Sequence, residues 1–401
     1  MNSHLHKLLD YLSGRVDDNR CARSRERFQR TLRWLPVDRP PLVITLPFPA
    51  EFPFQPYPHR EIFDDPEKML YNELVTAFDT SVVFYDRIGV DLPLTVRANF
   101  GTVLVAAMFG AAVEQSGDNP PWIVHADPQP PSLRQIAAMD ARDFSRGWIP
   151  RAAAVMQAYH GLLEDFPVLK QSIRIVLPDL QGPFDNLELI CGSTLFSELI
   201  TDPDAVALAL DAMAAAQIEL AQYFGQWTTE PEPGFACQHA VMLRGNILIR
   251  NDSCIMISPQ MYREQIAPHD ERVLRELGGG GIHSCGAIAH LVDEYLQLPS
   301  LCALDLGQPE LNDADEIYRK AAPRKIPILR VAVSAAEILS GEAWRRFPTG
   351  VVCLHRAADY SAARRVADAL TDFDCSVPER ASAADGLAAG GGENGGGCDR
   401  C

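Results

Sequence analysis

From Gly280 onward the chain alternates short apolar runs with amphipathic helical stretches, and no other feature of the sequence restricts the fold as much. "GGIHSCG" reads as a short strand, "AIAHLVDEYLQL" as a helix and "LCALDLGQ" as a strand. "DADEIYRKAA" follows as a helix, "IPILRVAV" as a strand and "SAAEILSGEAWRRF" as a helix. "GVVCLHR" is the next strand and "YSAARRVADAL" the last helix. Such alternation implies a parallel sheet, because each helix must carry the chain back before the next strand can run in the same direction. Earlier strands are predicted at "LVITL" (Leu42 to Leu46), "DLPLTV", "IRIVLP", "FACQHAVML" and "ILIR". About eight strands over this length predict a closed (β/α)8 TIM barrel rather than an open doubly wound sheet.

Helical insertions in the first half account for the remaining length. The first 30 residues read as helix, as do Pro66–Phe78, Pro150–Asp165 and the stretches "LFSELI" and "PDAVALALDAMAAAQIELAQYF". The chain has 401 residues, 47% of them hydrophobic, enough to bury a large core. After Pro378 the sequence becomes "ERASAADGLAAGGGENGGGCDRC", which has nothing to bury. Residues 1–378 are therefore expected to form one barrel domain and 379–401 a disordered Gly-rich tail. The tail ends in Cys398 and Cys401, a CxxC spacing without a second pair.

Charge and cysteine usage narrow the function classes. A formal net charge of −17 repels phosphate backbones, so nucleic-acid binding is not expected. No run of about 18 apolar residues suggests a membrane span, and no apolar leader opens the chain. The ten cysteines are scattered rather than clustered. A cytoplasmic protein with reduced thiols is the expectation, with Cys191, Cys254 and Cys302 as small core residues.

In a barrel, reactive groups project from the C-terminal ends of the strands. Those positions here carry Asn99 with Phe100 and Gly101, then Asp179, Gln181 and Asn186. They also carry Gln238, His239, Asn251, Asp252 and Ser253, followed by His283, Cys285, Gln308, Glu310, Cys353 and His355. Polar strand ends are ordinary in any barrel, but a His and two Cys reaching one rim is a metal-ligand pattern. His283 and Cys285 are two residues apart on an extended segment, so both side chains point to one side. Imidazole nitrogen and thiolate sulfur suit Zn²⁺, and a catalytic zinc needs a third protein ligand and an open position. Cys353, at the end of the last strand, is the first candidate for that ligand and His355 the second. Glycines 278–281, just ahead of the pair, allow a tight turn from helix into strand.

The residues quoted resemble the uroporphyrinogen decarboxylase superfamily through nearly the whole chain to about Leu370. "VDRPPLVI" is similar to that family's opening strand and "DLQGPFDNLELICGS" to its strand, Gly-Pro and helix element. "NDSCIMISPQMYREQIAPHDERV", "GGIHSCG" and "DLGQPELND" complete the resemblance. The family contains a metal-free carboxy-lyase branch, active in porphyrin biosynthesis, and a branch of zinc-dependent methyltransferases that exchange methyl groups with a corrinoid protein. The decarboxylase branch grips substrate carboxylates with an N-terminal Arg-Gln-Ala-Gly-Arg-Tyr-type stretch, and "LVITLPFPAEFPFQPYPHR" has no such motif. The chain offers mainly Arg97, Arg244 and Arg250 for that task.

The resemblance therefore implies the methyltransferase branch, with zinc held by His283, Cys285 and Cys353. Its partners would be a small methyl donor or acceptor and a separate protein presenting methylcobalamin, since the chain has no corrinoid-binding Asp-x-His-x-x-Gly stretch. Asp179, His239 and Asp252 are the expected catalytic residues. Asn99, Gln181, Asn186 and Gln308 are the expected substrate contacts. A divergent decarboxylase, a zinc hydrolase and a non-enzymatic ligand binder are the alternatives.

Overall fold

The computed structural model describes residues 1–50, 52–75, 91, 93–125, 130–229, 232–238 and 241–376, leaving aside the side chains of 371–376. Its strands are β1 (Leu42–Thr45), β2 (Thr95–Val96), β3 (Ala112–Glu114), β4 (Trp122–Val124), β5 (Arg174–Ile175) and β6 (Phe235–Gln238), followed by β7 (Val241–Arg244), β8 (Ile247–Arg250), β9 (Gly280–Ser284), β10 (Leu301–Leu306), β11 (Ile328–Ala332) and β12 (Val351–Arg356).

Six of these form one sheet in the order β1-β12-β11-β10-β9-β8, with every neighbouring pair parallel. Helices connect and flank its strands, so the sheet is covered and its residues are apolar and buried almost throughout. This is a mixed α/β fold around a central parallel sheet, as the alternation from Gly280 predicts. β2 and β5 form a separate parallel pair. No helix among the described residues is long and apolar enough to cross a membrane.

Three local expectations change. The stretch "FACQHAVML" is not one strand but an antiparallel hairpin of β6 and β7, with Phe235 opposite Arg244 and Gln238 opposite Val241. His239 and Ala240 lie outside the described residues, and so does the catalytic role expected of His239. The first 30 residues form two helices, Ser3–Ser13 and Asp18–Leu32. The second starts where the Asp17 side chain accepts from the N–H groups of Asn19 and Arg20. The helix expected after Cys285 shrinks to Val292–Tyr295. Residues 379–401 lie outside the described residues, and with them the expected tail.

The glycines ahead of the HxC pair have two separate tasks. Gly278 and Gly279, at φ +80° and +95°, end the helix Ala267–Glu276 in a left-handed turn. Gly280 lies so close to β8 that a Cβ there would sit 2.2 Å from the Ile247 carbonyl oxygen. Only a residue without a side chain lets β9 pair with β8 at that point. The resulting register aligns Arg250 with His283 and His283 with Asp305 across three neighbouring strands.

Candidate metal centre

Residues in register on adjacent strands share a face, so the Arg250–His283–Asp305 row sets one polar layer at the C-terminal ends of β8, β9 and β10. Cys285 is two residues beyond His283 and on the same side. The chain leaving β8 places Asp252 next to them. Among the described residues, Asp252, His283 and Cys285 are the one group of three whose potential ligand atoms all lie within 4.8 Å of one another. His283 Nε2 is 3.6 Å from Cys285 Sγ and 3.6 Å from Asp252 Oδ1. Donors at ~2.0–2.3 Å from a tetrahedral ion are themselves roughly 3.3–3.8 Å apart. The spacing and the nitrogen, sulfur and oxygen donor set therefore fit a zinc-sized cation.

Asp305 stands where it can select the His283 tautomer such a site needs. The His283 Nδ1 is 2.9 Å from Asp305 Oδ2 and 3.0 Å from Arg330 Nη2, and a proton on Nδ1 donated to Asp305 leaves the Nε2 lone pair facing Cys285 and Asp252. Arg330 fixes Asp305 in turn, with Nε 2.7 Å from Oδ1 and Nη2 on Oδ2. Burial alone would raise the Asp305 carboxyl, but Arg330 and His283 hold it down at about 2, so it stays ionised. Arg330 takes a left-handed backbone, φ +61°, where the β11–β12 register is irregular. The side chain of this strained, non-glycine residue reaches Asp305, which stands behind His283.

The other two candidates are set by backbone contacts. Asp252 Oδ1 accepts from the Cys285 N–H at 2.7 Å, which ties the two ligand-bearing loops together. Burial pushes the Cys285 thiol up to about 12, and the neighbouring Asp252 carboxylate adds to the rise. A thiol with that value becomes a thiolate only beside a cation. Gly307 completes the wall: a Cβ there would lie 2.7 Å from Cys285 Sγ and 2.9 Å from His283 Cε1.

Cys353, the expected third ligand, is not in that group; Asp252 stands beside the pair instead. The Cys353 thiol is fully buried, pushed up to about 12 by burial, and feels Arg39, Glu337, Arg346 and Asp91. Glu337 and Arg346 belong to the helices Ala335–Leu339 and Glu342–Arg346, so Cys353 lies among groups of the flanking helices rather than at the cluster. His355 shares its strand face two residues on and has Nδ1 3.0 Å from the Val333 carbonyl oxygen.

The remaining expected residues are near the layer but mostly engaged in holding it. Asp179 is gripped by Arg250 Nη1 at 2.5 Å and reached by Arg97 Nη1 at 3.5 Å, and it accepts from Gln181 Nε2 at 2.6 Å. Gln308 Oε1 accepts from the Gly286 N–H, fixing the turn after Cys285. Asn99 donates to the buried Glu73 at 2.8 Å. Asn186 is fully buried and donates to the Leu180 carbonyl oxygen at 2.9 Å.

Asp305, Arg330 and Asp185 were not singled out from the sequence. Asp305 had a usable signal, since it precedes the strand-end Gly307 by two residues and so faces the same way. Asp185 accepts from the N–H groups of Asp252 and Ser253 at 2.8 and 3.0 Å. Burial pushes its carboxyl up to about 8, with Asp252 adding to the rise. No protein-family model matches the chain, and no curated protein matches it.

Proposed function

We propose that the chain is a zinc-dependent methyltransferase on a closed (β/α)8 barrel, exchanging a methyl group between a small substrate and a corrinoid carried by a partner protein. The observation that carries this reading is the convergence of His283 Nε2, Cys285 Sγ and Asp252 Oδ1, with Asp305 ordering the imidazole from behind. Closure of the barrel is supported by contacts between sheet pieces. Arg97 beyond β2, Asp179 beyond β5 and Arg250 of β8 meet in one ion-pair group.

His283, Cys285 and Asp252 would hold the zinc, and Asp305 and Arg330 keep the imidazole aimed at it. A bound zinc supplies Lewis acidity to a substrate heteroatom, stabilising a thiolate nucleophile or an oxygen leaving group. Asp252 lies with a side chain 40% exposed, which leaves the cluster open on the side from which substrate and corrinoid arrive. Asp179, gripped by Arg250, and Gln181, bonded to Asp179, are the buried polar groups this reading assigns to substrate.

The test is zinc-loaded protein incubated with methylcobalamin and a panel of thiols and methyl ethers, followed by the change in cobalamin absorbance. Methyl exchange that disappears in His283→Ala is the expected result. A uroporphyrinogen assay runs beside it with His283→Ala and Arg97→Ala. Decarboxylation that survives the first substitution and is lost with the second would replace this reading by the carboxy-lyase one. Zinc-dependent ester or amide hydrolysis without any cobalamin requirement would replace it by a hydrolase.

A further inference from the structure

Asp185 is the third residue of the helix Pro183–Cys191. A carboxylate there ordinarily serves its own helix, accepting from the unpaired N–H groups of the first turn. Asp185 instead uses one oxygen for the Asp252 N–H, at 2.8 Å, and the other for the Ser253 N–H, at 3.0 Å. It is 4% exposed, so both bonds are made away from water. Its helix belongs to the β5 unit, whereas the amides belong to the loop after β8.

Two further contacts join the same pair of loops. Gly182 lies against β8 so closely that a Cβ would meet the Arg250 carbonyl oxygen at 2.4 Å and Asn251 Oδ1 at 2.5 Å. Arg250 Nη1 grips Asp179 at 2.5 Å. The segment 179–185 is thus attached at three successive points to the segment 250–253. Asp252 receives the last attachment through its own backbone, and its side chain then accepts from the Cys285 N–H at 2.7 Å.

We propose that Asp185 is the positioning residue of the metal centre, clamping the backbone of Asp252 so that its carboxylate stands beside His283 and Cys285. The proposal rests on the metal-centre reading above. Without the clamp, the two amides of residues 252 and 253 lose a buried acceptor, and the turn must rotate to find another. Asp252 then leaves the cluster while His283, on β9 and bonded to Asp305, and Cys285, whose turn Gln308 fixes, stay in place. The clamp also makes the Asp179–Gln181 loop and the Asp252 loop one unit, so a ligand held by the first is fixed relative to a metal held by the second.

The test uses the full chain loaded with Co²⁺, whose visible bands report ligand number and the cobalt–thiolate bond. Asp185→Asn keeps the shape of the side chain but turns an N–H₂ donor toward one of the two amides. It is expected to weaken Co²⁺ binding roughly 10–100-fold and to shift the visible bands to those of Asp252→Ala, with the thiolate band retained. Should Asn at 185 unfold the protein by circular dichroism, Asp185→Glu carries the same expectation, since it keeps both oxygens but displaces them. Wild-type affinity and unaltered bands in a folded variant would overturn the proposal. Failure of the wild-type chain to bind Co²⁺ or Zn²⁺ at all would instead overturn the metal-centre reading.

Discussion

Asp305 Oδ2 lies 2.9 Å from His283 Nδ1, and the two residues are register partners on neighbouring parallel strands. Their contact is therefore set by strand pairing rather than by the conformation of a loop. Asp305→Asn keeps the size of the side chain but removes the charge that orders the imidazole and neutralises Arg330. The expected result is a roughly 10–100-fold loss of zinc affinity with the fold retained, measured by competition with a chromophoric chelator. Unaltered affinity would mean that His283 is not a ligand.

The third ligand is tested by contrasting two residues. Asp252→Ala is expected to lower stoichiometric zinc in protein purified without chelators, because it removes one of the three converging donors. Cys353→Ser is expected to leave zinc content as it was, since Cys353 lies among groups of the flanking helices. Elemental analysis reads both. Loss of zinc in the Cys353 variant alone would restore the assignment made from sequence.

Gly307 supplies a substitution that adds an atom rather than removing one. In Gly307→Ala the new methyl group would stand 2.7 Å from Cys285 Sγ and 2.9 Å from His283 Cε1, closer than any van der Waals contact. The Cys285 Cα lies 3.0 Å away as well, so the segment just beyond β9 shifts together with the two side chains. Zinc affinity is expected to fall by about tenfold or more while the melting temperature changes little. A large fall in melting temperature with normal zinc content would place the strain in the sheet.

How much of this was legible in the sequence depends on which periodicity was at stake. His283 and Cys285 could be read as neighbours because side chains two apart on a strand face one way, whatever strand they sit on. Cys353 and His355 obey the same rule, but the rule does not say which face is which. Contacts with flanking helices decided that, and a sequence does not list them. Asp252 was visible as a strand-end acid, yet its place beside His283 and Cys285 goes with a turn whose N–H groups Asp185 accepts from a different unit. Asn186 drew attention one position away from Asp185, because the phase of the first helical turn was not fixed by the Gly-Pro start. Arg330 was hidden by a strand irregularity that turns its side chain onto Asp305. The parallel sheet, by contrast, was written in the alternation after Gly280, where every strand and helix carries its own apolar pattern.

The last prediction concerns stability against pH and rests on a buried carboxyl behind the site. Asp270 is fully buried and accepts from Tyr262 Oη at 2.8 Å and Asn251 Nδ2 at 2.5 Å. Burial lifts its carboxyl from the ordinary 3.8 to about 7, against the pull of those two hydrogen bonds. Between about pH 4 and pH 7 the unfolded chain has released a proton that the folded chain still holds, so unfolding is increasingly favoured as pH rises through that window. Above about pH 7 both states are ionised and this contribution is flat. Asp270→Asn cannot titrate, yet its amide oxygen still accepts a hydrogen bond. The variant should therefore gain on the wild type by about a few degrees of melting temperature between pH 5 and pH 8. Asp185, raised for the same reason, titrates in both proteins and cancels in the difference. Melting curves of the two proteins at pH 5, 6, 7 and 8 give the answer. A constant gap across the series would show that Asp270 does not change its protonation on unfolding.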